Sequence, residues 1–325
     1  MFFNPRNIAV TALLTLFLTV HHASYADVAT AYADHDSELT TEDRLCTQNY
    51  YQGEAPNFTN QKLANNTHEL CFDGFTIMYS SITRTPLWSA QYLTRDRLKR
   101  AERLDRQNNF HEETQLPYDE RATLEDYKGS GFDRGHLSPN GDMGSRKQQF
   151  NSFSLANIIP QNRYHNQNPW RHLEEVTREL IKKEGEGYVI TGAAFRGNRI
   201  RKIGNVLVPT DVYKVVYFPK RKVAGVYFSP NDASGQVNVI SLAELNRQIG
   251  LDLLPSLPDS VKQQRVNMPL TTKMAVRRGD ISGHPNSHPT QQQGQPMNYG
   301  VTMSSQLEPA TRWVLSRMWH ALWKD

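Results

Sequence analysis

The pattern of apolar and polar positions divides the chain into five parts. Residues 8–20 form a continuous apolar run with no charged side chain, too short for a comfortable membrane span. A polar stretch with few apolar periodicities follows to residue 70 and predicts irregular structure. Two strand patterns come next, at 72–82 (FDGFTIMYSSI) and 87–93 (LWSAQYL), with a turn at 83–86 that pairs them as a hairpin. A strand pattern at 153–159 precedes the best-marked helix, in which Asn168 is the expected N-cap and Pro169 the first helical residue. Trp170, Leu173, Thr177 and Leu180 follow its helical stripe, Val176 and Ile181 lie beside it, and Gly185 ends it. Further strands are expected at 187–191, 206–218 and 223–228, where VYKVVYF alternates as a half-buried strand does, and a short helix at 242–249. These elements predict an α+β fold with a mixed β-sheet core and flanking helices.

The ends read differently. Arg6 precedes the first apolar run, and Ser24-Tyr25-Ala26 closes it with small residues at −3 and −1, the pattern of a secretory signal peptide over 1–26. A polar segment over 27–70 and a folded domain over 71–275 follow. Residues 276–305, rich in Gln, Asn, Pro, Ser and Gly, are expected to be a disordered linker. Residues 306–325 form an amphipathic helix, with Val314, Leu315, Met318, Trp319, Leu322 and Trp323 on its apolar face. Such a helix can rest on a membrane surface or on a partner, and the plainer reading, a helix folded back on its own domain, is preferred.

Composition adds little: 38% hydrophobic and 22% charged residues describe an ordinary globular protein, and a net charge of +4 is compatible with a polyanionic partner without demanding one. The signal peptide changes more. It places the chain in a secreted or periplasmic setting, where the two cysteines, Cys46 and Cys71, are most simply one disulfide, the other reading being two unpaired buried thiols. Residues 95–106 (RDRLKRAERLDR) hold six Lys/Arg against three Asp/Glu, either a basic surface for phosphates or a solvated helix with internal ion pairs.

The densest cluster of candidate chemistry lies between residues 129 and 178. Hydrolysing a phosphodiester takes a base for water, a cation against developing charge, and a grip on the phosphate. His136 is the candidate base, because imidazole titrates near neutrality. Asn166 could hold a largely hydrated hard cation, with Glu174 accepting from its waters. Arg134 and Arg178 could grip phosphate oxygens. Glu174 and Arg178 are four residues apart, on one helix face at the border of the buried stripe. Taken singly, the plainer readings are a structural histidine, a turn asparagine and a surface ion pair.

The motifs point further. Asp133-Arg134-Gly135-His136 resembles the DRGH signature of the DNA/RNA non-specific endonucleases, ββα-metal nucleases that include endonuclease G-like members. A second block is similar to the same family at matching spacing: Asn157-Ile158-x-Pro160-Gln161, then Asn166-Gln167-x-x-Trp170-x-x-Leu173-Glu174. The resemblance covers about residues 72–254. It implies a ββα-metal motif in which His136 is the general base, Asn166 the direct metal ligand, and Glu174 a support for the metal's water shell. Arg134 and Arg178 would stabilise the transition state, Asn157 would support the site and Asp133 orient its loop. Also implied are Mg²⁺, or Mn²⁺ or another divalent cation, DNA and RNA as substrates, and 5′-phosphate products; a homodimer is an open alternative that the sequence does not decide. Some members carry a catalytic arginine on the second strand, and 88–93 here has none. Two other readings compete: a catalytically weak extracellular nucleic-acid-binding protein, and a hydrolase of small phosphodiesters.

Overall fold

A computed structural model describes residues 46–272 and 283–284. The signal peptide, the linker and the C-terminal helix expected above lie outside the described residues. In chain order the elements used below are β1 (Asn57–Phe58), β2 (Thr67–Phe72), β3 (Phe75–Ser80), β4 (Thr85–Thr94), α1 (Arg95–Ala101), α2 (Leu124–Tyr127), β5 (Asp133–His136), α3 (Arg146–Ser152), β6 (Ile158–Gln161), α4 (Arg171–Glu184), β7 (Glu186–Ala194), β8 (Lys202–Ile203), β9 (Val206–Leu207), β10 (Asp211–Phe218), β11 (Val223–Pro230), β12 (Asn238–Ile240), α5 (Leu242–Ile249) and β13 (Leu251–Asp252).

Seven strands form one sheet in the order β12-β11-β10-β7-β4-β3-β2, and each neighbouring pair is antiparallel. One face carries Leu93, Val189, Val212, Val216 and Phe218 against Leu173, Val176, Leu180 and Ile181 of α4. The other carries Trp88, Ile190, Tyr213, Val215 and Tyr217 against Leu242, Leu245 and Ile249 of α5. With helices on both faces, β10 is buried along its whole length rather than half buried. Its alternation is real, but Lys214 is the polar member of a buried face, 1% exposed. The separate pair β5-β6, with α4 after it, makes the ββα unit.

Turn chemistry redraws several elements. The first expected strand, 72–82, shortens to β3, and a strand not expected, β2, forms at the end of the stretch read as irregular, because Asp73-Gly74 closes a tight hairpin between them with Gly74 at φ +106°. The expected strand over 206–218 divides into β9 and β10 around Pro209. The helical run into α4 starts earlier than Asn168: Asn162 accepts from the backbone of His165, a turn follows at Arg163–His165, and a π-helical turn spans Asn166–Trp170 with Pro169 inside it. Gly185 ends α4 at φ +96°, as expected. A disulfide joins Cys46 to Cys71.

Candidate active site

The DRGH segment is β5, and its glycine has a spatial cause. A Cβ on Gly135 would sit 2.0 Å from Gln161 Oε1 and 2.6 Å from Gln161 Cβ, so only glycine lets the β6 side chain lie across the strand. Gln161 then reaches His165 Nδ1 at 2.8 Å, and His165 Nε2 meets Ser229 Oγ at 2.9 Å, which anchors the start of the helical run to β11. Asn157 secures the chain after His136: its Oδ1 accepts from Ser138 N (3.0 Å), and its Nδ2 donates to the carbonyls of Ser138 (2.8 Å) and Ser152 (2.9 Å).

His136 ends β5 with its ring 4.9 Å from Phe153, edge to face, and 5.4 Å from Phe110. Nε2 is buried without a hydrogen-bond partner in the protein, which leaves Nδ1 as the nitrogen open to water. Burial, reinforced by the positive charges of Arg106 and Arg134, pushes the imidazole down to about 3. The ring is therefore uncharged at any neutral pH, with one ring nitrogen's lone pair free, and in this state it holds a proton only weakly.

Asp133 is the organiser of the opposite wall. Its Oδ2 accepts from Asn166 Nδ2 (3.0 Å) and Gln167 Nε2 (2.8 Å), and Oδ1 takes a looser bond from Arg163 (3.4 Å). With its amide nitrogen held, Asn166 presents its oxygen elsewhere. A cleft of about 640 Å³ opens here, and Asp133, Arg134, Asn166, Arg163, Arg106 and Phe110 are among its lining residues. Arg134 lies with its guanidinium 4.2 Å from the centre of the Phe110 ring.

Glu174 and Arg178 belong to a second group of charges beside the cleft. Arg178 donates to Asp142 Oδ1 at 3.2 Å, and a Cβ on Gly141 would come within 3.0 Å of the same guanidinium nitrogen. The α4 arginine thus packs against the turn that follows His136. Glu174 is pushed up to about 7 by burial, opposed by the positive charges of Lys214, Arg178 and Arg106. Lys214 donates to Thr191 at 2.7 Å and stands 5.4 Å over Trp170. Burial lowers it, against the pull of Glu174 and Asp142.

Arg106 connects the two groups, because its charge acts on both His136 and Glu174. The pattern of 95–106 marks it only as the last of six cations. In the fold the chain leaves α1 and brings Arg106 over the Phe153 ring at 5.2 Å, into the lining of the cleft. The stretch 88–93, which has no arginine, carries the buried Gln91, which donates to Asp142 at 3.4 Å. Asp142 and Lys214 are charges beside the cleft that the sequence reading leaves out, and Arg106 enters it only as one cation of the basic run at 95–106.

The donors suit a hard divalent cation: an amide whose nitrogen is held by the Asp133 carboxylate, a carboxylate on the same helical run at Glu174, and no thiolate. Oxygen ligands, an uncharged base and flanking arginines together can activate water and offset charge on a phosphate.

Comparison with known proteins identifies the family. The family model described as DNA/RNA non-specific endonuclease matches residues 53–260. Nuclease C1 of Cunninghamella echinulata var. echinulata is 36% identical over 181 residues, which cover 50% of this chain and 70% of that one. The mitochondrial endonuclease G of Caenorhabditis elegans is 33% identical over 234 residues, 64% of this chain and 73% of its own. The zebrafish (Danio rerio) mitochondrial nuclease EXOG is 32% identical over 57% of this chain and 60% of its own. The crystal structure of an EndoG/EndoGI complex superposes with a TM-score of 0.55 at 24% identity, over 60% of this chain and 88% of that one, and so shares the fold.

Proposed function

The chain belongs to the DNA/RNA non-specific endonuclease family, and from that premise we propose that it is a metal-dependent endonuclease that hydrolyses DNA and RNA with little sequence preference. The observation that carries this reading is the pairing of an uncharged, cation-flanked His136 with an Asn166 oxygen set by Asp133. His136 accepts the proton of the attacking water at Nδ1. Asn166 would hold the metal, Mg²⁺ in the first instance with Mn²⁺ as an alternative, and Glu174 would accept from its bound waters. When bound, that ion would supply charge against the transition state and the leaving oxygen. Arg134 and Arg106 line the cleft and grip phosphate oxygens, while Arg178, fixed by Asp142, adds charge from the α4 side. Asn157 holds the turn after the base, so its role is positioning. The products carry 5′-phosphate ends.

The setting we propose is secreted or periplasmic, on the strength of the leader pattern at 1–26 and the Cys46–Cys71 disulfide. Mitochondrial relatives show that the domain also works elsewhere. Among the described residues no helix is long and apolar enough to cross a membrane. The test is digestion of plasmid DNA and of RNA by the wild type and by His136→Ala. The variant keeps its fold by circular dichroism and loses cleavage of both substrates. Wild-type turnover by a folded His136→Ala would sink the assignment.

A further inference from the structure

The basic run at 95–106 has two readings, and the ion pairs separate them. A merely solvated helix would pair its charges internally. Among the described residues, Lys99, Arg100, Arg103 and, on α3, Lys147 are exposed and take part in none of the salt bridges. Glu102, one of the three acids of the run, is engaged by Lys182 of α4 at 2.8 Å, although it still feels Lys99.

α1 and α3 form one surface. Arg146 at the start of α3 donates to the carbonyl of Asp105 at 2.6 Å, and a Cβ on Gly144 would meet Arg97 O at 3.1 Å and Arg100 Nε at 3.5 Å. The surface adjoins the cleft twice, through Arg106 and through Phe110, both of which line it. The residue after Phe110 is His111, whose ring stacks on Phe150 of α3 at 4.3 Å and 9°. Phe150 stays 49% exposed, so it offers a flat aromatic surface to solvent beside the unpaired cations.

We propose that the α1–α3 surface is a second polynucleotide-binding tract, which holds the strand flanking the scissile phosphate. Lys99, Arg100, Arg103 and Lys147 take successive phosphates, and Phe150, backed by His111, stacks an unpaired base. The proposal rests on the nuclease reading for the identity of its ligand. Unpaired cations beside an exposed ring match the chemistry of a single strand, whose charge lies on one side and whose bases present aromatic faces.

The test is binding, measured in EDTA so that turnover plays no part. Fluorescence anisotropy compares a labelled 30-nucleotide single-stranded DNA with a 6-nucleotide one. Combining Lys99→Ser, Arg103→Ser and Lys147→Ser removes three cations that make no side-chain bond. Affinity for the 30-mer falls about tenfold, and the slope of log affinity against log salt shrinks by about 2, at roughly 0.7 per phosphate lost. Binding of the 6-mer and its cleavage with Mg²⁺ stay unchanged. Phe150→Ala weakens the 30-mer about fivefold at unchanged slope, as loss of one stacked base does. Wild-type affinity and slope in the triple variant overturn the tract, as does a wild type that does not bind the 30-mer. An unchanged Phe150→Ala overturns the stacking step alone. Failure of the wild type to cut any polynucleotide with Mg²⁺, while binding responds as stated, overturns the nuclease reading and spares the tract.

Discussion

Replacing His136 by glutamine should flatten the acid limb of the protein's stability. The imidazole has an ordinary value near 6.5 and is held down to about 3 in the folded chain by burial and by the charges of Arg106 and Arg134. Between those values the unfolded chain binds a proton that the folded chain refuses, so stability rises with pH across that window. The contribution is complete above pH 6.5 and is lost as pH falls toward 3. From pH 7.5 to 5.0 the unfolded histidine becomes almost fully protonated while the folded one stays neutral, which costs about 2 kcal/mol at 1.36 kcal/mol per unit. His136→Gln removes the titrating group. His165, also held down to about 4 by burial, has the same sign in both proteins and cancels in the difference. Urea unfolding at the two pH values is the assay. The wild type should lose about 2 kcal/mol more than His136→Gln on acidification. An equal loss in the two would show that the ring accepts a proton in the folded state, and the picture of an uncharged base would fall with it.

Gly135→Ala forces a methyl onto the fully buried Gln161, at 2.0 Å from its Oε1, and should cost about 3 kcal/mol by denaturant melting, with activity falling as β5 shifts. Asp133→Asn removes the carboxylate that holds the Asn166 and Gln167 amides, so the metal concentration for half-maximal cleavage should rise about 10- to 100-fold while the thermal midpoint barely moves; an unchanged metal requirement would remove Asp133 from its orienting role. Reducing the Cys46–Cys71 bridge, or Cys46→Ser with Cys71→Ser, releases a 25-residue loop and should cost about 3 kcal/mol at unchanged cleavage under stabilising conditions.

What the sequence discloses and what it hides follow from the range of each signal. Local periodicity marks α4 and its glycine stop, and α5 appears at residues 242–249 behind the side-chain cap of Ser241. The DRGH and Asn-x-x-Pro-Gln blocks are each short and local, so the resemblance they carry implies the ββα unit. Periodicity places the strand at 153–159, whereas the structure sets β6 later, at Ile158–Gln161, after a 3-10 turn. The Asp73-Gly74 turn is a local signal, but β2 before it (THELCF) carries polar and charged side chains and reads as irregular, so its pairing with β3 stays hidden. The start of the α4 run escapes because Asn168-Pro169 imitates a cap, whereas Asn162 provides the bonded one before a π turn. Arg106, Asp142 and Lys214 are beyond local reading. Each gains its place from contacts that span tens of residues, such as Gln91 with Asp142 and Lys214 with Thr191. A lysine in an alternating strand reads as solvent-facing until a helix is known to cover that face.

Metal-dependent cleavage of both nucleic acids through Asn166 is the central claim, and one titration tests it most directly. Plasmid DNA and a long RNA would be digested by the wild type and by Asn166→Ala across a range of Mg²⁺, with chelator added at the end of each series. The account predicts that the wild type cuts both substrates, that EDTA stops both, and that Asn166→Ala stays folded yet inactive at Mg²⁺ levels that saturate the wild type. Equal Mg²⁺-dependent cutting by Asn166→Ala, or wild-type cutting that survives EDTA, would contradict it.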